Sequence, residues 1–131
     1  MILVDSSVWI DYFNGVPSSQ TDWLHSSLGS TPIIIGDLIL TEVLQGFQNE
    51  KDFKIAKDLL LGIPFMAMVG QSIALESAMN YRYLRKKGVT VRKTIDVIIG
   101  TFCIYNQITL LHCDRDFDPM VKYLGLEIIN V

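Results

Sequence analysis

Cysteine is scarce in this 131-residue chain, which carries only Cys103 and Cys113. Two thiols are too few for a disulfide framework and lack the spacing of a zinc site, so a metal held by sulfur is not expected. A reducing, cytoplasmic setting suits them better. Histidine is equally rare: His25 and His112 stand apart from any serine–acid constellation, which disfavours a serine or cysteine hydrolase. No uninterrupted apolar run approaches the roughly 18 residues needed to cross a bilayer. Residues 1–4 run directly into Asp5 without a basic leader, so neither a membrane span nor a targeting segment is expected. Long Gly/Ser/Pro linkers, low-complexity tracts and internal repeats are also missing. Cationic excess is missing too. Eleven Lys and Arg against fourteen Asp and Glu give a net charge of -3, without the overall positive field of a nucleic-acid-gripping surface.

What is present is a core. Half the residues are hydrophobic and 19% are charged, which excludes global disorder and leads us to expect one domain over residues 1–131. The charge is unevenly placed. Arg82, Arg85, Lys86, Lys87, Arg92 and Lys93 fall close together, and no acid occurs between Glu76 and Asp96. This segment reads either as a solvated helix end with a favourable dipole interaction or as a patch for phosphate.

Short apolar runs at 2–4, 31–35, 65–69, 109–111 and 127–129 predict five strands. The three consecutive isoleucines at 33–35 suit burial on both faces of a parallel sheet. Helices are predicted after 7, then near 20–28, 38–47, 50–61, 71–87, 94–105 and 116–123. Strands alternating with helices predict an α/β fold, a central, mostly parallel five-stranded sheet covered on both faces in a three-layer α/β/α arrangement.

Four acids border or interrupt segments that ought to be core. Asp5 ends the first apolar run, Glu42 lies at the flank of an apolar helix face, Asp96 begins an apolar helix, and Asp114 follows Leu110 and Leu111. Each has an ordinary explanation: Asp5 and Asp114 as helix caps, Asp96 as a dipole partner, Glu42 as a peripheral paired carboxylate. Each also has a functional one, because ligands of open parallel sheets bind beyond the carboxyl ends of the strands. Several carboxylates buried together require raised pKa values or a compensating cation. Oxygen ligands suit Mg2+ or Mn2+.

In order along the chain stand Ile2-Leu3-Val4-Asp5-Ser6-Ser7-Val8-Trp9-Ile10, the helix acid Glu42, Arg92-Lys93-Thr94-Ile95-Asp96, and Leu110-Leu111-His112-Cys113-Asp114-Arg115-Asp116-Phe117. This series resembles the PIN domain family and, more narrowly, its VapC-type ribonuclease toxins. The resemblance implies a PIN-like fold and an acidic quartet of Asp5, Glu42, Asp96 and Asp114 around Mg2+ or Mn2+, with Asp116 as an auxiliary acid. It also implies hydrolysis of RNA phosphodiester bonds, a VapB-type antitoxin partner, and a homodimer that joins it in a hetero-oligomer. Ser6 or Ser7 would orient Asp5 or a metal-bound water, although capping explains both equally well. His112 departs from the family pattern, where a hydroxyl residue is common. Arg85, Lys86, Arg92 and Lys93 become candidates for the RNA backbone, and Tyr12, Tyr81 and Tyr83 for base stacking, while Trp9 and Phe13 read as core. Competing readings are an inactive PIN-like module that binds RNA or protein, a receiver-like phosphorylation domain, and a DNA nuclease.

Overall fold

Apolar runs become strands and the segments between them helices in a computed structural model that describes residues 1–131. The elements are β1 (Ile2–Val4), α1 (Ser6–Phe13), α2 (Ser19–Ser27), β2 (Ile33–Gly36), α3 (Asp37–Leu44) and α4 (Glu50–Leu61). They continue with β3 (Phe65–Met66), α5 (Gly70–Lys86), α6 (Thr94–Asn106), β4 (Thr109–Leu111), a 3-10 turn (Arg115–Phe117) and α7 (Asp118–Leu124). The strands lie in the order β3-β2-β1-β4, and every pairing is parallel.

The sheet has four strands, not the five expected from the apolar runs. Residues 127–129 contribute a single bridge between Leu110 and Ile128. The reason is the length of β4. In a strand, successive residues present their backbone groups to opposite sides. Thr109 and Leu111 face β1, donating to Met1 and accepting from Asp5, so only Leu110 faces outward, bonded to Glu127 and Ile129. One outward residue supports one bridge and no ladder. β3 is also shorter than the run at 65–69, because the N–H of Met68 turns to the Asp37 carboxylate at 3.1 Å.

The chain moves from β1 through β2 to β3, then crosses the whole sheet to reach β4 on the other side of β1. With right-handed crossovers, opposite directions of travel place the helices on opposite faces. The α1–α4 helices accordingly pack among themselves, while α5, α6 and α7 form the other layer. Leu3, Val4, Ile34, Ile35, Leu110 and Leu111 are buried between the layers. Trp9 lies wholly inside, stacked on half-buried Phe13 at 5.8 Å. At two glycines a methionine side chain lies where a Cβ would stand. A Cβ at Gly36 would collide with Met68, and one at Gly100, midway along α6, would collide with Met120 of α7. The second approach locks α7 and the preceding turn against the helix that carries Asp96.

Candidate metal centre at the carboxyl edge of the sheet

β1 and β4 are neighbours whose following connections leave toward opposite layers, which makes the gap beyond their carboxyl ends the topological switch point. Asp5 and Asp114 emerge there. Asp5 is both cap and candidate ligand: its Oδ2 accepts the Ser7 N–H at 3.0 Å and the Ser7 hydroxyl at 2.6 Å, starting α1. Its Oδ1 is buried with no hydrogen-bond partner, in a residue only 3% exposed. Asp114 similarly caps the 3-10 turn, its Oδ1 accepting the Asp116 N–H at 2.9 Å.

Asp96 sits in the first turn of α6, 6% exposed, and its Oδ2 is likewise buried without a partner. Burial, followed by the nearby Asp5 and Asp114 carboxylates, pushes Asp96 up to about 7, and Lys93 only partly offsets this. Burial also raises Asp5 against the opposing hydrogen bonds from Ser7. Glu42, half-buried on α3, is raised by burial and accepts the Ser6 hydroxyl at 3.0 Å. Oxygens of Asp96, Asp114 and Asp116 all lie within 4.8 Å of one another. Of the predicted quartet, only Asp96 and Asp114 fall in this close group, with the auxiliary Asp116 as its third member; Asp5 and Glu42 lie near enough to act on Asp96 electrostatically.

Asp5 Oδ1 and Asp96 Oδ2 are buried without hydrogen-bond donors, and the acids around them outnumber the cations, Arg92 and Lys93, that act on the cluster. All the donors are hard oxygens. The cluster can coordinate a divalent metal ion.

The predicted cations separate into two groups. Arg92 bonds Asp116 at 2.9 Å, and Lys93 acts electrostatically on Asp96 and Glu42. Arg85 and Lys86 occupy the last turn of α5, where cations suit the helix dipole, and neither forms an ion pair with the cluster. Arg85 instead leans over the Tyr81 ring. Tyr83 is exposed, Tyr81 is half-buried, and the Tyr12 hydroxyl is engaged with His25 at 3.0 Å. His112 supplies the acceptor that a hydroxyl residue would offer, its Nδ1 taking the Asp114 N–H at 3.1 Å. One residue escaped the sequence reading. Arg115 lines a recess with Arg92, Lys93, Asp96 and Asp116, and its only signal in the sequence was its place between two acids.

The PIN domain family model matches residues 2–122. VapC ribonuclease Mb1587 of Mycobacterium bovis is 28% identical over 130 residues, covering 97% of this chain and 96% of that protein. Ribonuclease VapC11 of Mycobacterium tuberculosis matches to the same extent. Among solved structures, VapBC2 from Rickettsia felis, bound to a DNA fragment from its promoter, superimposes with a TM-score of 0.78 at 17% identity, over 100% of this chain and 99% of that one. FitAcB from Neisseria gonorrhoeae gives a TM-score of 0.77 at 16% identity, over 99% and 97%. No helix is long and apolar enough to cross a membrane. With the family match spanning nearly the whole chain, the protein belongs to the PIN domain family and is related to the VapC-type toxins of VapBC toxin–antitoxin systems.

Proposed function

We propose that residues 1–131 act as one metal-dependent endoribonuclease domain, a cytoplasmic toxin that hydrolyses RNA phosphodiester bonds and is neutralised by a VapB-type antitoxin. The observation that carries this reading is the convergence of acids from β1, α3, α6 and β4, with Asp5 Oδ1 and Asp96 Oδ2 buried and unpartnered. The relatives' names as VapC ribonucleases support the activity, and the antitoxin-bound assemblies among similar folds support the partner.

Asp5, Asp96 and Asp114 would hold Mg2+ or Mn2+, with Asp116 and Glu42 completing the set. Bound there, the ion supplies neutralisation of phosphate charge and a water acidic enough to attack at neutral pH. The chain's own residues do the positioning. Ser7 fixes Asp5 through Oδ2 and leaves Oδ1 without a hydrogen-bond partner. Ser6 fixes Glu42, whose raised affinity for protons suits it to accept one from attacking water. Lys93, Arg92 and Arg115 line the approach for an anionic strand, while Arg85 and Lys86 extend positive charge along the end of α5.

The test is incubation of metal-stripped protein with total RNA, followed by Mg2+ or Mn2+ and mapping of new ends. Cleavage that requires the ion and disappears in Asp5→Asn, Asp96→Asn and Asp114→Asn is expected. Turnover without metal, or undiminished in all three variants, would refute the assignment. Light scattering should find a homodimer, converted to a tighter hetero-oligomer by the neighbouring small protein.

A further inference from the structure

The molecule holds a single ion pair, between Arg92 and Asp116, with Nη2 2.9 Å from Oδ1. Eleven basic and fourteen acidic side chains are available, yet the one pair formed involves an acid of the metal cluster. The partners are unequal. Asp116 is largely enclosed and its backbone N–H is tied to Asp114, whereas the Arg92 side chain is 74% exposed and makes no other hydrogen bond. Arg92 stands between α5 and α6, outside any helix or strand, so its guanidinium can leave Asp116 without disturbing a packed element.

The recess beside this pair is lined by three cations, Arg92, Lys93 and Arg115, and by two carboxylates, Asp96 and Asp116. With Arg92 engaged on Asp116, Lys93 and Arg115 remain beside the Asp96 carboxylate. A divalent cation on the acids changes this, because it satisfies Asp116 and frees the guanidinium.

Resting on the metal-centre reading above, we infer that Arg92 is an exchangeable counter-ion. It holds Asp116 while the cluster is without metal, yields that carboxylate to a divalent cation, and then takes a backbone phosphate of single-stranded RNA beside Lys93 and Arg115. Metal and RNA binding are thereby coupled, each strengthening the other by the same factor.

The experiment compares the wild type with Arg92→Gln, Arg92→Lys and Lys57→Gln, the last removing an exposed charge on α4. Thermal melts in Mg2+ or Mn2+ without RNA report metal affinity. Arg92→Gln should bind the ion about two- to five-fold tighter, the range expected from removing an exposed competing pair. Arg92→Lys and Lys57→Gln should stay at the wild-type value. Fluorescence anisotropy of a short single-stranded RNA, in the cold and with Ca2+ to suppress turnover, reports the second half. With metal, Arg92→Gln should weaken binding and make the salt dependence shallower by roughly 0.7 in log–log slope. Without metal, it should match the wild type. Equal or weaker metal affinity in Arg92→Gln, or the same RNA defect with and without metal, would overturn the inference while leaving the metal centre intact. Wild-type melts unmoved by either ion would instead remove the metal centre, and this exchange with it.

Discussion

Asp96→Asn should stabilise the metal-free protein at alkaline pH, although Asp96 is proposed as essential for cleavage. Burial and the neighbouring Asp5 and Asp114 carboxylates raise Asp96 from 3.8 to about 7 in the folded chain. A folded carboxyl group that holds its proton more tightly than the unfolded one costs stability as pH rises. The loss develops between the unfolded value near 4 and the folded value near 7, and is complete above that. About three pH units correspond to about 4 kcal/mol at 1.36 kcal/mol per unit. The recess next to Asp96 opens to solvent, and screening reduces the expected figure to about 2 kcal/mol. Asparagine preserves the size of the side chain and removes the charge. Asp5, Glu42 and Asp114 share the field, so the window belongs to the cluster rather than to Asp96 alone.

Urea denaturation in a chelator, from pH 4.5 to 8.5, measures the difference. With a urea slope of about 2 kcal/mol per molar, the variant's midpoint at pH 8 should lie about 1 M above the wild type's. The gap should close toward pH 4.5. Adding Mg2+ should then invert the order, because ion binding to the native state contributes about 2.7 kcal/mol at a hundredfold excess over Kd, and the variant forfeits much of it. A variant less stable than the wild type at pH 8 without metal, by a margin independent of pH, would refute the electrostatic account of this site.

Ser7→Ala removes the 2.6 Å bond that pulls Asp5 downward, so the rising limb of the cleavage pH profile should move to higher pH, with partial rescue by Ser7→Thr; an unmoved profile would make Ser7 a cap alone. Asp114→Asn can still cap the 3-10 turn, so it should retain a wild-type circular dichroism spectrum while cleavage falls at least about a hundredfold, the scale of a lost electrostatic catalytic group. Gly100→Ala puts a methyl group against the buried Met120 side chain, which must shift; the overpacking cost of about 1–3 kcal/mol, less the roughly 1 kcal/mol that alanine gains in a helix interior, should lower the melting temperature slightly with metal affinity per folded molecule unchanged.

The parts of this fold readable from the sequence are those in which one local signal and the tertiary structure agree. Ile33, Ile34 and Ile35 leave little choice but a doubly covered strand, and all three are buried in β2. Asp5 followed by two serines marks the passage from strand to helix, and Asp5 caps α1 as that pattern suggests. The fifth strand failed for a reason no local pattern carries: residues 127–129 have strand-forming side chains, but their partner β4 has only Leu110 facing them. The division of the basic segment was equally hidden. Arg85 and Arg92 look alike in a list of nearby cations, and only the turn between α5 and α6 separates a helix-end charge from one paired with Asp116. Asp37 illustrates the converse. It too stands just beyond a buried strand, yet its carboxylate accepts from the backbones of Leu38 and Met68 and belongs to the loop architecture.

Capping and ligand binding, set against each other as explanations for Asp5 and Asp114, are compatible: each carboxylate caps through one oxygen. A carboxylate that capped with both oxygens would have nothing left for a metal, and one that capped with neither would have no fixed direction. Asp5 gives Oδ2 to Ser7 and keeps Oδ1 free inside the protein, while Asp114 gives Oδ1 to the Asp116 N–H. The cap thus fixes the carboxylate, since the helix or turn that it starts also sets where the second oxygen lies. Asp114's cap also brings in Asp116, whose backbone it holds and whose carboxylate joins the cluster. Because both strands end at the switch point of a parallel sheet, two caps formed for local reasons leave Asp5 and Asp114 at the same edge, near enough for both to raise Asp96. Asp96, in the first turn of α6, comes from the opposite layer to meet Asp114 and Asp116. The folded chain concentrates negative charge that its own side chains, the Arg92 guanidinium on Asp116 and the nearby Lys93, offset only in part, and that deficit suits the site to a divalent cation.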